Sequence, residues 1–150
     1  MSYRLSRAAF VRSLAFAVPA AAMLRLRAAE ESVALAEPSP LAKDLIGTWV
    51  LAGTPEKPVD PPAKGGRLRF FTGRHWVITE ADAETGRVRH HHGGTYTLDD
   101  DVLTENVEYA GPSSATLIGR SFKHQMKVEG DTLTQIGIDN QWTEVWKRAK

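Results

Sequence analysis

From Gly47 onward, hydrophobic and polar residues tend to alternate with a period of two. Turn residues interrupt this alternation about every eight to twelve positions, which is typical of short strands in an all-β domain. The short links between neighbours favour an antiparallel meander. The pattern therefore predicts about eight strands, which would close into an up-and-down barrel with room for one small ligand. The predicted strands are residues 47–52, 67–71, 75–81, 87–98, 102–110, 121–129, 132–138 and 141–147.

Two longer connections separate the predicted strands. Residues 55–66 contain four prolines, which cannot donate backbone hydrogen bonds to a sheet, so this stretch is predicted to be a loop. Residues 111–118 begin with Gly111 and Pro112 and are predicted to form a second loop. Before the first strand, residues 41–46 predict one short helical turn.

Residues 1–29 have the pattern of a secretory signal peptide. Arginines precede an alanine-rich apolar run at 14–24, small residues follow it, and the first acidic residue is Glu30. The apolar run is too short to be a transmembrane helix. We interpret residues 30–40 as a linker and residues 41–150 as the folded domain. The pattern predicts a periplasmic or secreted protein.

Composition excludes several functional classes. The 150 residues are 42% hydrophobic and 25% charged, which is ordinary for a folded protein, and no apolar stretch predicts a membrane span. The chain has no cysteine, which excludes a disulfide scaffold, a thiol nucleophile and an iron–sulfur cluster. Removal of residues 1–29 would leave 14 basic and 18 acidic residues, a net charge of −4. That sign disfavours nucleic acid as a partner.

A short motif at the start of the first strand suggests a family. Gly47-Thr48-Trp49 follows the short helical turn, and Arg148 lies at the end of the last strand. This arrangement resembles the lipocalin and wider calycin pattern, in which the tryptophan closes one end of the barrel and the basic side chain packs across its ring. The stretches 68–71, 93–96 and 142–148 are also similar to a group of exported bacterial lipocalin-like proteins, mostly of unassigned function. The resemblance covers residues 41–150 and implies a lipocalin-like barrel.

Alternation also assigns a face to each strand residue. The inward face then combines aromatic walls with several polar groups, each of which would cost about 1 to 3 kcal/mol if it were buried without a partner. Such an interior indicates a wet or ligand-filled cavity. The residues predicted to contact a small-molecule ligand are His90, His92, Tyr96, Glu105, Tyr109, His124, Trp142 and Glu144.

Arginines give a second alternating pattern. Arg67, Arg69, Arg87 and Arg89 are predicted to form an outward basic stripe in contact with solvent. Trp49 is predicted to lie in the core, as the resemblance also implies.

The histidines suggest a metal ion as an alternative occupant of the cavity. His90 and His92, one residue apart on a strand, would project from the same side about 6 to 7 Å apart, and His124 comes from a nearby strand. Three imidazoles at His90, His92 and His124 with the Glu105 carboxylate would suit a divalent Zn, Fe, Mn or Ni ion. The other interpretation is that these imidazoles hydrogen-bond an organic ligand. The sequence specifies no other cofactor.

Three functions stay open at this point. The first is an exported protein that binds a small, partly polar organic ligand. The second is an exported lyase, isomerase or hydrolase that uses the same cavity, with a metal or with His and Glu as acid and base. The third is a protein-binding module that uses the two loops. The sequence does not indicate the oligomeric state.

Overall fold

The computed structural model describes residues 39–150. The predicted signal peptide, residues 1–29, and most of the predicted linker, residues 30–40, lie outside the described residues. The elements in chain order are α1 (Pro40–Leu45), β1 (Gly47–Leu51), β2 (Gly53–Thr54), β3 (Lys57–Pro58), β4 (Gly66–Phe71), β5 (His75–Ala81), β6 (Val88–Asp99), β7 (Val102–Ala110), a 3₁₀ helix (Pro112–Leu117), β8 (Ser121–Glu129), β9 (Thr132–Ile138) and β10 (Glu144–Arg148).

Eight of these strands form a closed antiparallel barrel. Their order around the barrel is β1, β10, β9, β8, β7, β6, β5, β4, so each barrel strand pairs with the next one along the chain and β1 closes on β10. This confirms the predicted all-β barrel. β2, which lies just before the predicted proline loop, pairs with β3 inside that loop as a separate two-stranded sheet. The 3₁₀ helix lies in the predicted second loop. Within residues 39–150, no helix is long and apolar enough to cross a membrane.

Trp49 and Arg148 pack against each other beside α1. The Trp49 side chain is completely buried, and its indole N–H donates to the carbonyl oxygen of Leu45 at 2.9 Å. The Arg148 guanidinium carbon lies 4.1 Å from the centre of the Trp49 ring. The same guanidinium donates to the carbonyl oxygens of Asp44, at 2.8 Å, and Ile46, at 3.2 Å. Arg148 thus packs across the Trp49 ring, as the resemblance implied, and its hydrogen bonds also link α1 to the last strand.

A bulge between β6 and β7 changes one predicted orientation. Gly94 pairs with Val107, whereas Gly93 pairs with Tyr109, so Glu108 is an extra residue on β7. One extra residue reverses the faces of the residues beyond it. Tyr109 therefore lies on the outer surface with 44% of its area exposed, and its predicted inward orientation is wrong. A β-carbon on Gly94 would overlap the Asn106 carbonyl oxygen, so a residue without a side chain allows this close strand approach.

The predicted outward orientation of Arg67 and Arg69 on β4 is wrong. Arg69 is only 1% exposed, and both Arg67 and Arg69 line the inside of the barrel. The prediction failed because the strand has apolar residues in both phases of the alternation. Leu68 and Phe70 support one orientation, and Phe71 supports the other, which is the one that the barrel adopts.

Candidate functional site

The barrel contains a cavity of about 150 Å³. A volume of this order accommodates a molecule the size of benzene. Both polar and aromatic side chains line it, and they come from seven barrel strands, the end of the 3₁₀ helix and the segment before β10. The lining residues are Arg67, Arg69, Trp76, Ile78, His90, His92, Glu105, Leu117, Phe122, His124, Gln135, Trp142 and Glu144.

A buried polar network forms one wall of this cavity. The Arg69 guanidinium donates to the Glu105 carboxylate and to the side-chain oxygen of Gln135. Neither Glu105, at 4% exposure, nor Gln135, at 2%, is accessible from the surface of the barrel. Gln135 in turn donates to the carbonyl oxygen of Trp142 at 3.0 Å. The network pairs a buried cation with a buried anion, which is the arrangement that burial of charge requires.

Three aromatic rings surround the Arg69 guanidinium. Its central carbon lies 4.9 Å from the ring centre of Phe71, 5.6 Å from that of Trp76 and 5.4 Å from that of Trp146. The negative faces of such rings attract a cation. Burial lowers the pKa of Arg69 to about 10, and the nearby Glu144 carboxylate opposes this shift. The guanidinium is therefore still charged at neutral pH.

His124 extends the network towards the cavity. It is 2% exposed, and its Nε2 atom lies 3.5 Å from a Glu105 carboxylate oxygen. Its Nδ1 atom is buried and has no hydrogen-bond partner. Burial, followed by the positive charge of Arg69, lowers the pKa of His124 to about 3. The imidazole is therefore neutral near pH 7.

His90 and His92 lie on β6 with their rings edge to face. The ring of His92 is 4.9 Å from that of His90 and 5.2 Å from that of Trp76, and its buried Nδ1 atom has no partner. Burial, followed by the charge of His90, lowers the pKa of His92 to about 4. His90 contacts the hydroxyl of Ser114 at 2.8 Å, which connects β6 to the 3₁₀ helix. Burial also lowers the pKa of His90.

The remaining polar groups lie where the cavity is partly exposed. Arg67 pairs with Glu80 at 2.9 Å and with Glu144 at 3.4 Å.

Phe122 and Trp142 pack edge to face, with their ring centres 4.5 Å apart. These two aromatic residues line both the cavity and a shallower depression on the outside of the barrel. We call this part of the cavity the mouth and define it by Leu117, Phe122 and Trp142.

The chain matches a lipocalin-like protein from Bacteroides uniformis with a TM-score of 0.51 and 12% identity, over 71% of this chain and 99% of the other. The fold is lipocalin-like. An uncharacterized protein from Bacteroides eggerthii matches with a TM-score of 0.47 and 15% identity, over 70% of this chain and 99% of the other. No protein-family model and no curated protein matches the sequence.

The lipocalin-like barrel brings most of the predicted ligand contacts together. Tyr96 is an exception, because it is buried against Phe71, with ring centres 5.3 Å apart, and does not line the cavity. Tyr109 is the other exception, for the reason given above. The sequence reasoning missed Arg69 and Gln135, which the network needs. The predicted residues that do line the cavity are His90, His92, Glu105, His124, Trp142 and Glu144.

The metal hypothesis gains no support from this arrangement. Within residues 39–150, no three His, Asp or Glu side chains are grouped so that they could hold a metal ion. His90, His92 and His124 line one cavity, but the Arg69 guanidinium lines it too, and its charge would repel a cation. A divalent ion therefore stays a prediction, which metal analysis of tag-free protein would test.

The buried histidines lead to a pH prediction for the lipocalin-like barrel. The pKa values of His92, about 4, and His124, about 3, lie below the ordinary value of 6.5. As the pH falls below 6.5, the unfolded chain therefore binds protons that the folded chain does not. The free energy of unfolding should fall with pH down to about 4, by up to about 1.4 kcal/mol per pH unit for each histidine.

Urea unfolding measured across this pH range checks the prediction. His124→Gln should reduce the slope by about one proton, because the variant lacks one of the two groups. His75→Gln, at an exposed position on β5, is the matched control and should retain the slope. If both variants keep the slope of the unmodified protein, the neutral state of His124 is wrong.

Proposed function

We propose that the protein binds a small, uncharged and partly polar organic molecule in the barrel cavity. The observation that carries this proposal is the mixed lining: Trp76 and Phe122 offer apolar surface beside a buried polar network. Ligand sites are commonly concave and aromatic, with a few fixed polar groups that determine orientation. The imidazoles of His90, His92 and His124 add further polar groups to the lining.

The balance of charge supports an uncharged ligand. Two cations, Arg67 and Arg69, and two carboxylates, Glu105 and Glu144, line the cavity. Both cations are already paired with carboxylates. An additional ion would lose its hydration without gaining an unpaired counter-ion, which is unfavourable in a buried site. A neutral molecule avoids this penalty.

The properties of the histidines favour binding over acid–base catalysis. A general base works best when its pKa lies near the working pH. The pKa values of about 3 for His124 and about 4 for His92 are far below neutrality. These imidazoles are suited to accept or donate hydrogen bonds without taking up a proton. We therefore favour a ligand-binding protein over an exported enzyme.

We also propose that binding takes place outside the cytoplasm, in the periplasm or after secretion. The signal-peptide pattern of residues 1–29 supports this location. N-terminal sequencing of the protein recovered from a periplasmic extract or culture medium tests it. Recovery of the intact N-terminus from the cytoplasm alone would contradict export.

Two neighbouring residues provide a matched test of the binding site. Leu117 lines the mouth, whereas Ile118 is 50% exposed and does not line the cavity. Leu117→Trp should fill the mouth and weaken binding of small neutral aromatic compounds by at least about tenfold, which corresponds to about 1.4 kcal/mol. Ile118→Trp should leave the affinity unchanged.

Titrations of ¹⁵N-labelled protein with such compounds measure these affinities from amide chemical shifts. Saturable shifts should concentrate at residues that line the cavity. Equal affinities for the two variants would mean that the compounds bind elsewhere. The absence of any saturable shift in the unmodified protein would contradict the proposed function directly.

A further inference from the structure

Glu144 is a carboxylate in the cavity lining that has unused hydrogen-bonding capacity. It lies on β10 two residues before Trp146, whose ring packs beside Arg69 inside the barrel, and residues two apart on a strand share a face. Its Oε1 atom contacts a guanidinium nitrogen of Arg67 at 3.4 Å, which is long for a hydrogen bond. Within residues 39–150, no other group hydrogen-bonds to this carboxylate.

Water or a ligand can reach the Glu144 carboxylate. Its side chain is 13% exposed. In the described part of the chain, the polar side-chain atoms that are completely buried without a partner belong to other residues, and neither Glu144 oxygen is one of them. Glu105, the other carboxylate of the lining, is only 4% exposed and accepts from Arg69, so it is not available in the same way.

Arg67 does not saturate the Glu144 carboxylate. Two nitrogens of Arg67, Nε and Nη2, contact one Glu80 oxygen at 2.9 Å each, so the shorter contacts of this guanidinium go to Glu80. An ionised carboxylate has about four positions that accept hydrogen bonds and none that donates. The single long contact to Arg67 leaves most of these positions open. Because polar groups in a partly buried site need partners, the missing donors come from molecules inside the cavity.

We infer that the ligand carries a neutral hydrogen-bond donor, a hydroxyl or an N–H group, and presents it to the Glu144 carboxylate. This inference rests on the proposed function and names the chemical class of the ligand. A carbonyl, ether or carboxylate oxygen at the same place would set one lone pair against another. A cation would be repelled by Arg67, which lies 3.4 Å from the same carboxylate. The cavity volume of about 150 Å³ favours a donor attached directly to a single ring, as in phenol.

Phenol and anisole form a matched pair of probes, because methylation removes the donor and keeps the ring and oxygen. We compare the ratio of their dissociation constants in the full-length protein and in Glu144→Leu, in which Arg67 retains Glu80 as its partner. The preference for phenol should be about tenfold greater in the unmodified protein, as expected for one hydrogen bond to a charged acceptor. Glu129→Leu removes a carboxylate that is 66% exposed at the end of β8, and should leave the ratio unchanged.

A second measurement requires no substitution in the barrel. In protein labelled with ¹³C in its glutamate carboxyl groups, phenol should shift the side-chain resonance of Glu144 much further than anisole does. The ring affects this resonance in both complexes, whereas only phenol donates a hydrogen bond to the carboxylate. Equal shifts with both compounds bound would overturn the inference even if Glu144→Leu does not fold.

The outcomes separate this inference from the proposed function. If phenol and anisole both enter the cavity and the ratio is the same in Glu144→Leu, the donor to Glu144 is not required and the inference is wrong, while the binding function stands. Tighter binding of benzylammonium than of phenol would show that Glu144 takes a cation and would also overturn it. If no probe perturbs the cavity residues, the proposed function fails and the inference with it.

Discussion

Arg69→Met is expected to destabilise the folded protein by about 3 to 5 kcal/mol, the typical effect of removing one member of a buried ion pair. Arg69 is 1% exposed, and its partner Glu105 is 4% exposed. Methionine fills much of the same space but leaves the Glu105 carboxylate in the barrel without a cation. Urea or thermal unfolding followed by circular dichroism measures the change.

Two further variants identify the cause of that loss. Arg74→Met, at an exposed position in the turn before β5, makes the same substitution without burial and should have almost no effect. Arg69→Met combined with Glu105→Gln removes the unpaired charge and should recover part of the lost stability. If the double variant is as unstable as Arg69→Met, lost packing rather than an unpaired charge explains the effect.

Trp49→Ala is expected to have an effect of similar size, about 3 to 5 kcal/mol, because it removes a large, completely buried side chain. The variant also removes the hydrogen bond to Leu45 and the surface on which Arg148 packs. Arg148→Met should cost less, about 1 to 2 kcal/mol, because it removes a partly exposed cation–π contact and two hydrogen bonds to the carbonyl oxygens of Asp44 and Ile46. Equilibrium unfolding provides both values.

Trp142→Ala is the control for Trp49→Ala. Trp142 is half-buried at the mouth of the cavity, so its truncation should reduce stability much less and should act mainly on ligand binding. Equal destabilisation by the two substitutions would contradict the role assigned to Trp49.

The barrel itself could be predicted because its signals are local. Alternation and regularly spaced turns define the strands, and the start of the first strand supplies Gly47 and Trp49. The structure confirms the closed antiparallel barrel and the contact between Trp49 and Arg148.

The orientation of individual side chains was harder to predict, because the phase of the alternation depends on features that the sequence does not display. The extra residue Glu108 turns Tyr109 outward. The adjacent glycines Gly93 and Gly94 make a bulge plausible at this point, and the register does shift there, but they do not show that the extra residue lies on β7. Arg69 was placed outside because an arginine is normally exposed. Its burial depends on Glu105 and Gln135, which come from other strands.

A signal for the inward arginine was nevertheless present. Glu105 was predicted to point inward, and a carboxylate inside a barrel requires a cation or a proton. The arginines on β4 were available for that role, and Phe71 has the same phase as Arg69. An inward Glu105 needs a counter-charge, and the alternation in β4 allows either face of that strand to point inward. Together these two observations predict that Arg69 lies inside the barrel.

A crystal structure of the protein soaked with phenol tests the central claim most directly. We expect a phenol ring within the cavity beside Trp76 and Phe122. Phenol found only on the outer surface, with the cavity closed by side chains, would contradict the claim that this barrel holds a small organic ligand.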